Sequence, residues 1–443
     1  MPEPVLTFRE FRELPWWVIV PWLLGILTAS GVIFTLFSSV GRRPRRMSAT
    51  QCPPVQSEEF VRAVGNTVNS LFVAGGTAEL LNNGVRFFPA MFEAIAGAKQ
   101  SINFLAYIWK PGKVSDEMFA ALTERARAGV EVRVLLDGMG GIRAPTDGIA
   151  ALRAAGGKVE RFRALRFGKI TRFYKRMHRR AIVIDGVVGF TGGAAVGDQW
   201  LGDAEKPEHW RDCMVRVTGP LATSLQSAFA APWANSCGEI LVGPRFYPDH
   251  GANVGKGDEP VMRHVSLVSS PSGDEHPLRV FFLLSFLAAR ERLYIASSYF
   301  VPDEQMREAA MDRAKEGVDV RILIPNEHTD AKPIRQASRS YYDALLSAGV
   351  RIFEYQPTMF HMKTLVVDGQ WSVVGSANMD IRSKELNQEN VLGILDGGFA
   401  RQVEESFLAD LKRATEIRLA DWRRRSVGAR LKERAAALFA EQY

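Results

Sequence analysis

The 443-residue chain has only three cysteines, Cys52, Cys213 and Cys237, far apart and odd in number. There is no disulfide framework and no Cys-x-x-Cys, which points to a reducing compartment. Its seven histidines are scattered, without a His-x-His or His-x-x-x-His pair. No metal site is legible from that spacing, and no metal or cofactor is expected. Charge is missing altogether from Leu14 to Gly41. Acid is nearly missing from Lys158 to Arg180, where ten lysines and arginines face the single Glu160. Overall the chain carries a formal charge of +7, which favours anionic partners such as acidic lipid or nucleic acid.

The uncharged run is longer than the roughly 20 apolar residues that cross a bilayer. Trp16, Trp17 and Trp22 cluster at its start, as aromatic side chains do at a membrane interface. Arg42, Arg43, Arg45 and Arg46 follow it, against Arg9 and Arg12 upstream. Residues 1–46 therefore read as a membrane anchor spanning about 15–40, with the body behind it in the cytoplasm. A cleaved signal peptide fits less well, since the segment before the run is not net basic and no small-x-small cleavage site follows. Residues 47–58, with Pro53-Pro54, read as a linker.

Beyond it, helical and strand patterns alternate. A helix is predicted over Arg86–Ala98, a strand over Ser101–Tyr107, a helix over Asp116–Ala128 and a strand over Val130–Leu136. That alternation predicts an α/β fold with helices covering a sheet. The basic stretch from Lys158 to Arg180 has Phe162, Phe167, Phe173 and Tyr174 interleaved, a pattern suited to lipid headgroups or nucleic acid. The anchor makes lipid the nearer anion. Phe399–Leu419 reads as a helix. Trp422–Phe439 is a basic amphipathic stretch that either lies on a membrane or packs on the second half.

The second half repeats the first. Glu124-Arg125-Ala126-Arg127-Ala128-Gly129-Val130-Glu131-Val132-Arg133 returns as Asp312-Arg313-Ala314-Lys315-Glu316-Gly317-Val318-Asp319-Val320-Arg321. Tyr107 has its counterpart in Tyr299. Each half also carries one polar motif. His361-Met362-Lys363 leads into the apolar run Thr364–Val367, closed by Asp368-Gly369. His178-Arg179-Arg180 leads into Ala181–Ile184, closed by Asp185-Gly186. On a strand, residues i and i+2 share a face, so His361 and Lys363 point the same way, and so do His178 and Arg180. Asp368 falls on the opposite face and is expected to brace rather than react. A pseudo-twofold pairing of halves would bring the two histidines and two cations around one phosphate.

These motifs resemble the phospholipase D superfamily, with its paired HxKxxxxD motifs, and most of all its bacterial cardiolipin synthases. The resemblance covers about residues 60–425, with domains at 59–245 and 260–425 and a tail at 426–443. It implies two repeated α/β units packed pseudo-twofold, preceded by a single transmembrane helix. It also implies a catalytic set of His178, His361, Lys363, Arg180, Asp185 and Asp368. Asn378 with Ser376 or Ser383 would line the phosphate site. Glu389 would orient a histidine, and Asp212 in Trp210-Arg211-Asp212 is a second candidate for that role, or pairs with a cation such as Arg211. The implied activity is phosphatidyl transfer at an anionic phospholipid membrane, from two phosphatidylglycerols to cardiolipin and glycerol through a phosphohistidine. Nucleic acid is the less favoured substrate. The alternatives are a hydrolytic phosphodiesterase and an impaired membrane scaffold. Two departures fall in the first half: Arg180 replaces the family lysine, and Ala195 stands where an asparagine is usual.

Overall fold

The computed structural model describes residues 15–40, 46–47, 51–163, 176–250, 261–270 and 276–438. The chain divides into two compact units, Met1–Ala49 and Thr50–Tyr443. Among its described residues the first holds one helix, Trp16–Val40, of 25 residues with Pro21 inside it. Its side chains are described as far as Gly31, and Trp16, Trp17 and Trp22 among them are exposed. Among the described residues no helix is long and apolar enough to cross a membrane. The span expected at about 15–40 is therefore seen as a helix and not as a crossing, and Arg42, Arg43 and Arg45 lie outside the described residues.

The larger unit contains two main sheets. One orders its strands Thr77–Asn82, Cys213–Thr218, Val188–Gly192, Ala181–Ile184, Ser101–Ala106, Glu131–Asp137 and Lys158–Phe162. The other runs Arg263–Ser269, Glu389–Leu395, Trp371–Gly375, Lys363–Val367, Arg292–Ser297, Asp319–Pro325 and Arg351–Tyr355, with Val73–Ala74 added at one edge and Ala414–Ile417 at the other. Without those two additions, the sheets have the same strand order. In each, the last three strands of the shared order are parallel, and the other pairings are antiparallel. Parallel neighbours need crossover helices, supplied by Lys113–Arg127 and Thr146–Ala154 in the first half. Glu304–Lys315, Lys332–Arg339 and Tyr342–Ser347 do the same in the second. The sequence repeat is thus a repeat of topology.

Helices Pro220–Cys237 and Gly397–Leu411 follow corresponding strands and help to join the halves. One apolar cluster combines Val183, Val215, Leu221 and Leu225 from the first half with Tyr294, Val366, Leu392 and Phe407 from the second. A shared core fixes one half on the other, as a site assembled from both requires.

Three boundaries differ from the sequence reading. The segment 59–74, placed with the first domain, packs on the second sheet: Val73–Ala74 pairs with Arg263–His264, and the Phe60 ring lies 5.4 Å from that of Trp371. The linker at 47–58 ends in packed chain, with Val55 buried and Ser57 capping the helix Glu58–Thr67. The helix predicted over 399–419 stops at Leu411, and Ala414–Ile417 becomes an edge strand against Arg351–Tyr355. Of the basic stretch, residues 164–175 lie outside the described residues.

Candidate active site

Each polar motif sits on a hairpin. Asp185 and Gly186 have φ of 52° and 68°, Asp368 and Gly369 φ of 51° and 62°, so each Asp-Gly pair makes a left-handed turn. The Asp185 carboxylate accepts backbone N–H bonds from Lys99, Gln100 and Ser101 at 2.7–2.8 Å. Asp368 accepts from Arg290, Glu291 and Arg292 at 2.9 Å. These aspartates, counted with the catalytic set, lock each hairpin to the start of the neighbouring strand. They bond the scaffold, not the histidines.

At the other end of the strands the halves meet. The His178 N–H donates to Gln388 O (2.8 Å), and the Gln388 N–H returns a bond to Arg176 O (2.8 Å). The His361 N–H donates to Arg211 O (2.7 Å), and the Arg211 N–H to Met359 O (2.9 Å). In each bridge, the next residue on the opposite strand is a carboxylate. Glu389 therefore lies 2.9 and 3.0 Å from His178 Nδ1, and Asp212 lies 2.7 Å from His361 Nδ1. Each half orients the histidine of the other.

Both carboxylates are buried and held in turn. Glu389 accepts from the Ser376 hydroxyl and from the Asn387 amide at 3.3 Å. Asp212 accepts from Trp200 Nε1 at 2.9 Å and from the Cys213 N–H at 2.8 Å. Arg211 takes no part in that pair; it bonds Asp410 at 2.8 Å instead. Gly193 occupies the place of Ser376, and a Cβ there would lie 2.2 Å from Asp212 Oδ1. Gly193→Ala is thus expected to push Asp212 off His361 and to lower kcat on a phosphodiester about 10²-fold, with binding little changed. Steady-state kinetics check this; an unchanged kcat would show that Asp212 tolerates displacement.

The cations lie beside the rings. Lys363 Nζ donates to Ser298 Oγ (2.7 Å) and His361 O (2.8 Å), and is 3.2–3.3 Å from the His361 ring nitrogens. Arg180 donates to His178 O (2.7 Å) and lies 3.1 Å from His178 Nε2. The Tyr107 ring covers His178 edge-on at 4.7 Å.

Burial, then the adjacent Arg180, lowers His178 to about 4 despite Glu389. Burial, then Lys363, lowers His361 to about 4 despite Asp212. Burial lowers Lys363 itself to about 7, and Arg180 lies below its ordinary value for the same reason. Each histidine also feels the cation of the other half, which places all four groups in one field. At neutral pH both imidazoles are uncharged. With Nδ1–H donated to a carboxylate, each presents an Nε2 lone pair, the form a nucleophile needs.

The expected phosphate ligands divide. Asn378 is buried with its side-chain oxygen unpartnered, and its amide carries N–H donors of the kind an anion accepts from. Ser383 accepts the Asn378 N–H at 3.1 Å, and Ser376 is engaged with Glu389, so both serines support the site from behind. Ala195, the counterpart of Asn378, joins Arg180 in lining an otherwise apolar hollow with Phe104, Met118 and Met214. Sequence reasoning missed Ser298 and Trp200. Neither has a like residue at the matching place in the other half, so the repeat held no signal for them.

A family profile described as "Cardiolipin synthase, PLD-like domain" matches residues 91–233 and 284–411. Cardiolipin synthase A of Pseudomonas fluorescens (strain SBW25) is 35% identical over 393 residues, covering 88% of this chain and 80% of the relative. Cardiolipin synthase A of Pseudomonas putida (strain W619) is 32% identical over 419 residues, covering 91% and 85%. Among solved structures, phosphatidylserine synthase of Haemophilus influenzae Rd KW20 superposes with a TM-score of 0.65 at 17% identity, over 86% of this chain and 99% of that one. Polyphosphate kinase from Porphyromonas gingivalis gives a TM-score of 0.51 at 10% identity, over 91% and 57%. These two likenesses are of fold.

Proposed function

The chain belongs to the cardiolipin synthase family of phospholipase D-like phosphatidyltransferases, and from that premise we propose that it condenses two phosphatidylglycerols to cardiolipin and glycerol through a phosphohistidine. The observation that carries this reading is the reciprocal pairing of Glu389 with His178 and Asp212 with His361. It supplies two histidines of fixed tautomer, which a two-step displacement requires.

In the first step His178 Nε2 attacks phosphorus, the bond from phosphorus to the glycerol oxygen breaks, and His361 gives that oxygen a proton. In the second, the headgroup hydroxyl of another phosphatidylglycerol attacks phosphorus and passes its proton to His361. The P–N bond then breaks and frees His178. Lys363, Arg180 and Asn378 stabilise the charge that builds on the non-bridging oxygens. Burial and the neighbouring cations hold both imidazoles neutral; an arriving phosphodiester anion raises the proton affinity of the groups around it and so charges His361 as the acid. On this reading the body works at the cytoplasmic face of the inner membrane, Arg42, Arg43, Arg45 and Arg46 and the net charge of +7 being the support. Purified full-length protein with phosphatidylglycerol, products identified by mass spectrometry, is the test. Cardiolipin with glycerol is expected. Phosphatidic acid alone would mean that water is the acceptor, and no lipid product would overturn the reading.

The buried lysine has a consequence for stability. Between about 7 and its ordinary 10.5, Lys363 is neutral in the fold and protonated when unfolded. The unfolded chain binds more protons there, so the ligand-free protein gains stability as pH rises through that window, and the full cost is present below about 7. Lys363→Met is expected to abolish turnover yet melt a few degrees higher than wild type at pH 6.5, the gap closing towards pH 10. Calorimetry across pH would contradict this if the variant were the less stable at pH 6.5.

A further inference from the structure

The last described helix, Val427–Ala437, is docked with its sides reversed. A surface helix ordinarily turns its apolar stripe to the core and its charges to water. Here the buried position is Glu433, the one acid between 427 and 438. It accepts from Arg339 Nε at 3.1 Å and from Arg425. Arg339 and Arg335 both also bind Glu354 at 2.9 Å, and the guanidinium groups of Arg339 and Arg425 both lie over the Trp422 ring. The opposite face leaves Val427, Leu431 and Leu438 exposed by 70%, 61% and 77%. At a rotation of about 100° per residue these three fall within about 40° of one another. Arg434 and Arg430 lie about 20° and 60° beyond the stripe on one side, and Lys432 about 100° beyond it on the other.

We propose that this helix is an in-plane docking element for an anionic lipid surface. Its apolar stripe would enter the headgroup boundary, while its cations meet lipid phosphates. The charge pattern selects this occupant. Every charged side chain on the outward face is basic, two arginines border the stripe, and long basic side chains can lay their stems along apolar surface while their heads reach anions. A stripe of three side chains is narrow for a second copy of the chain. Placement favours lipid as well. Ala436 packs on the cluster of Val301 and Ala337, three residues beyond the Ser298 that holds Lys363. Helix Lys332–Arg339, to which the tail is tied, begins just after Asp330, which accepts the Tyr299 hydroxyl at 2.8 Å. The element that meets the surface is thus one layer from the catalytic cation. The proposal rests on the phosphatidyltransferase reading for its lipid, but its test separates the two.

The test uses full-length protein in proteoliposomes of phosphatidylcholine with phosphatidylglycerol, so that the segment 16–40 is common to all samples. An environment-sensitive dye on Leu431→Cys, in a Cys237→Ser background, is expected to shift to the blue and to be quenched by lipids brominated on the acyl chains. Leu431→Glu with Leu438→Glu is expected to slow turnover of bilayer substrate about fivefold or more. It should leave unchanged the rate on short-chain phosphatidylglycerol below its micelle concentration. A dye in water overturns the proposal, as does equal loss on both substrates, or a change in oligomeric mass without an effect of lipid. Wild-type protein that turns over neither substrate would instead sink the enzymatic reading, while the dye still reports on the surface.

Discussion

His361→Ala is expected to leave less than about 10⁻⁴ of the wild-type rate of cardiolipin formation, because both half-reactions pass a proton through that ring. The loss should depend on the leaving group in a way that a structural defect would not. Glycerol is a poor leaving group and needs the proton; p-nitrophenolate does not. With a p-nitrophenyl phosphodiester the variant should therefore release about one equivalent of nitrophenol in a burst and then stall, since no base remains to activate the incoming alcohol. His178→Ala should give no burst with either substrate, because the attacking nitrogen is gone. Rapid-quench and stopped-flow measurements read both. Similar behaviour of the two variants on the activated substrate would mean that the histidines are not divided into nucleophile and acid.

The second large effect comes from the carboxylates that cross between halves. Asp212→Asn and Glu389→Gln keep shape and burial but lose the charge that holds Nδ1–H. An amide can offer either its oxygen or its N–H to the ring, and the latter moves the imidazole proton to Nε2 and removes the lone pair. Each variant is expected to lose about 10³–10⁴-fold in kcat with KM within a few-fold of wild type. Glu389→Gln should also suppress the nitrophenol burst, because it disables His178. Asp212→Asn should preserve the burst, because it acts on His361. A residue of the second half would then control the first half's histidine, and the reverse. If both variants kept wild-type kcat, the pairs at 2.7–3.0 Å would be structural only.

Much of this site could be read from the chain because its parts are local. A strand of β-branched residues closed by Asp-Gly is a short-range pattern, and repetition in both halves separated His178 and His361 from other histidines. Partner choice is not local. Asp212 stood beside Arg211 with two possible partners, and only the fold assigns Arg211 to Asp410 and Asp212 to His361. Trp200, at the end of the short 3-10 helix Asp198–Trp200, and Ser298, just past the strand Arg292–Ser297, reach the site from stretches that carry no period. The helix expected to run to Leu419 shows the same limit. Ala414–Ile417 is a strand because Arg351–Tyr355 offers it an edge, and strand preference depends on such a neighbour more than on the segment itself. The tail was legible as amphipathic, but which side faces the body depended on Arg339, almost a hundred residues earlier. Even the departures gained content. Arg180 occupies the place of Lys363 with the same two kinds of contact, to the carbonyl and ring of the preceding histidine. The Ala195 substitution leaves Asn378 as the single amide at that position of the repeat.

On the proposed mechanism the two halves share one phosphate site, in which a histidine becomes covalently phosphatidylated. Full-length His361→Ala protein, mixed with the p-nitrophenyl ester of a phosphatidic acid and quenched under alkaline conditions that preserve phosphoramidates, tests it directly. Peptide mass spectrometry should find close to one phosphatidyl adduct per chain, on His178. Nitrophenol released in the burst without any histidine adduct would contradict the account.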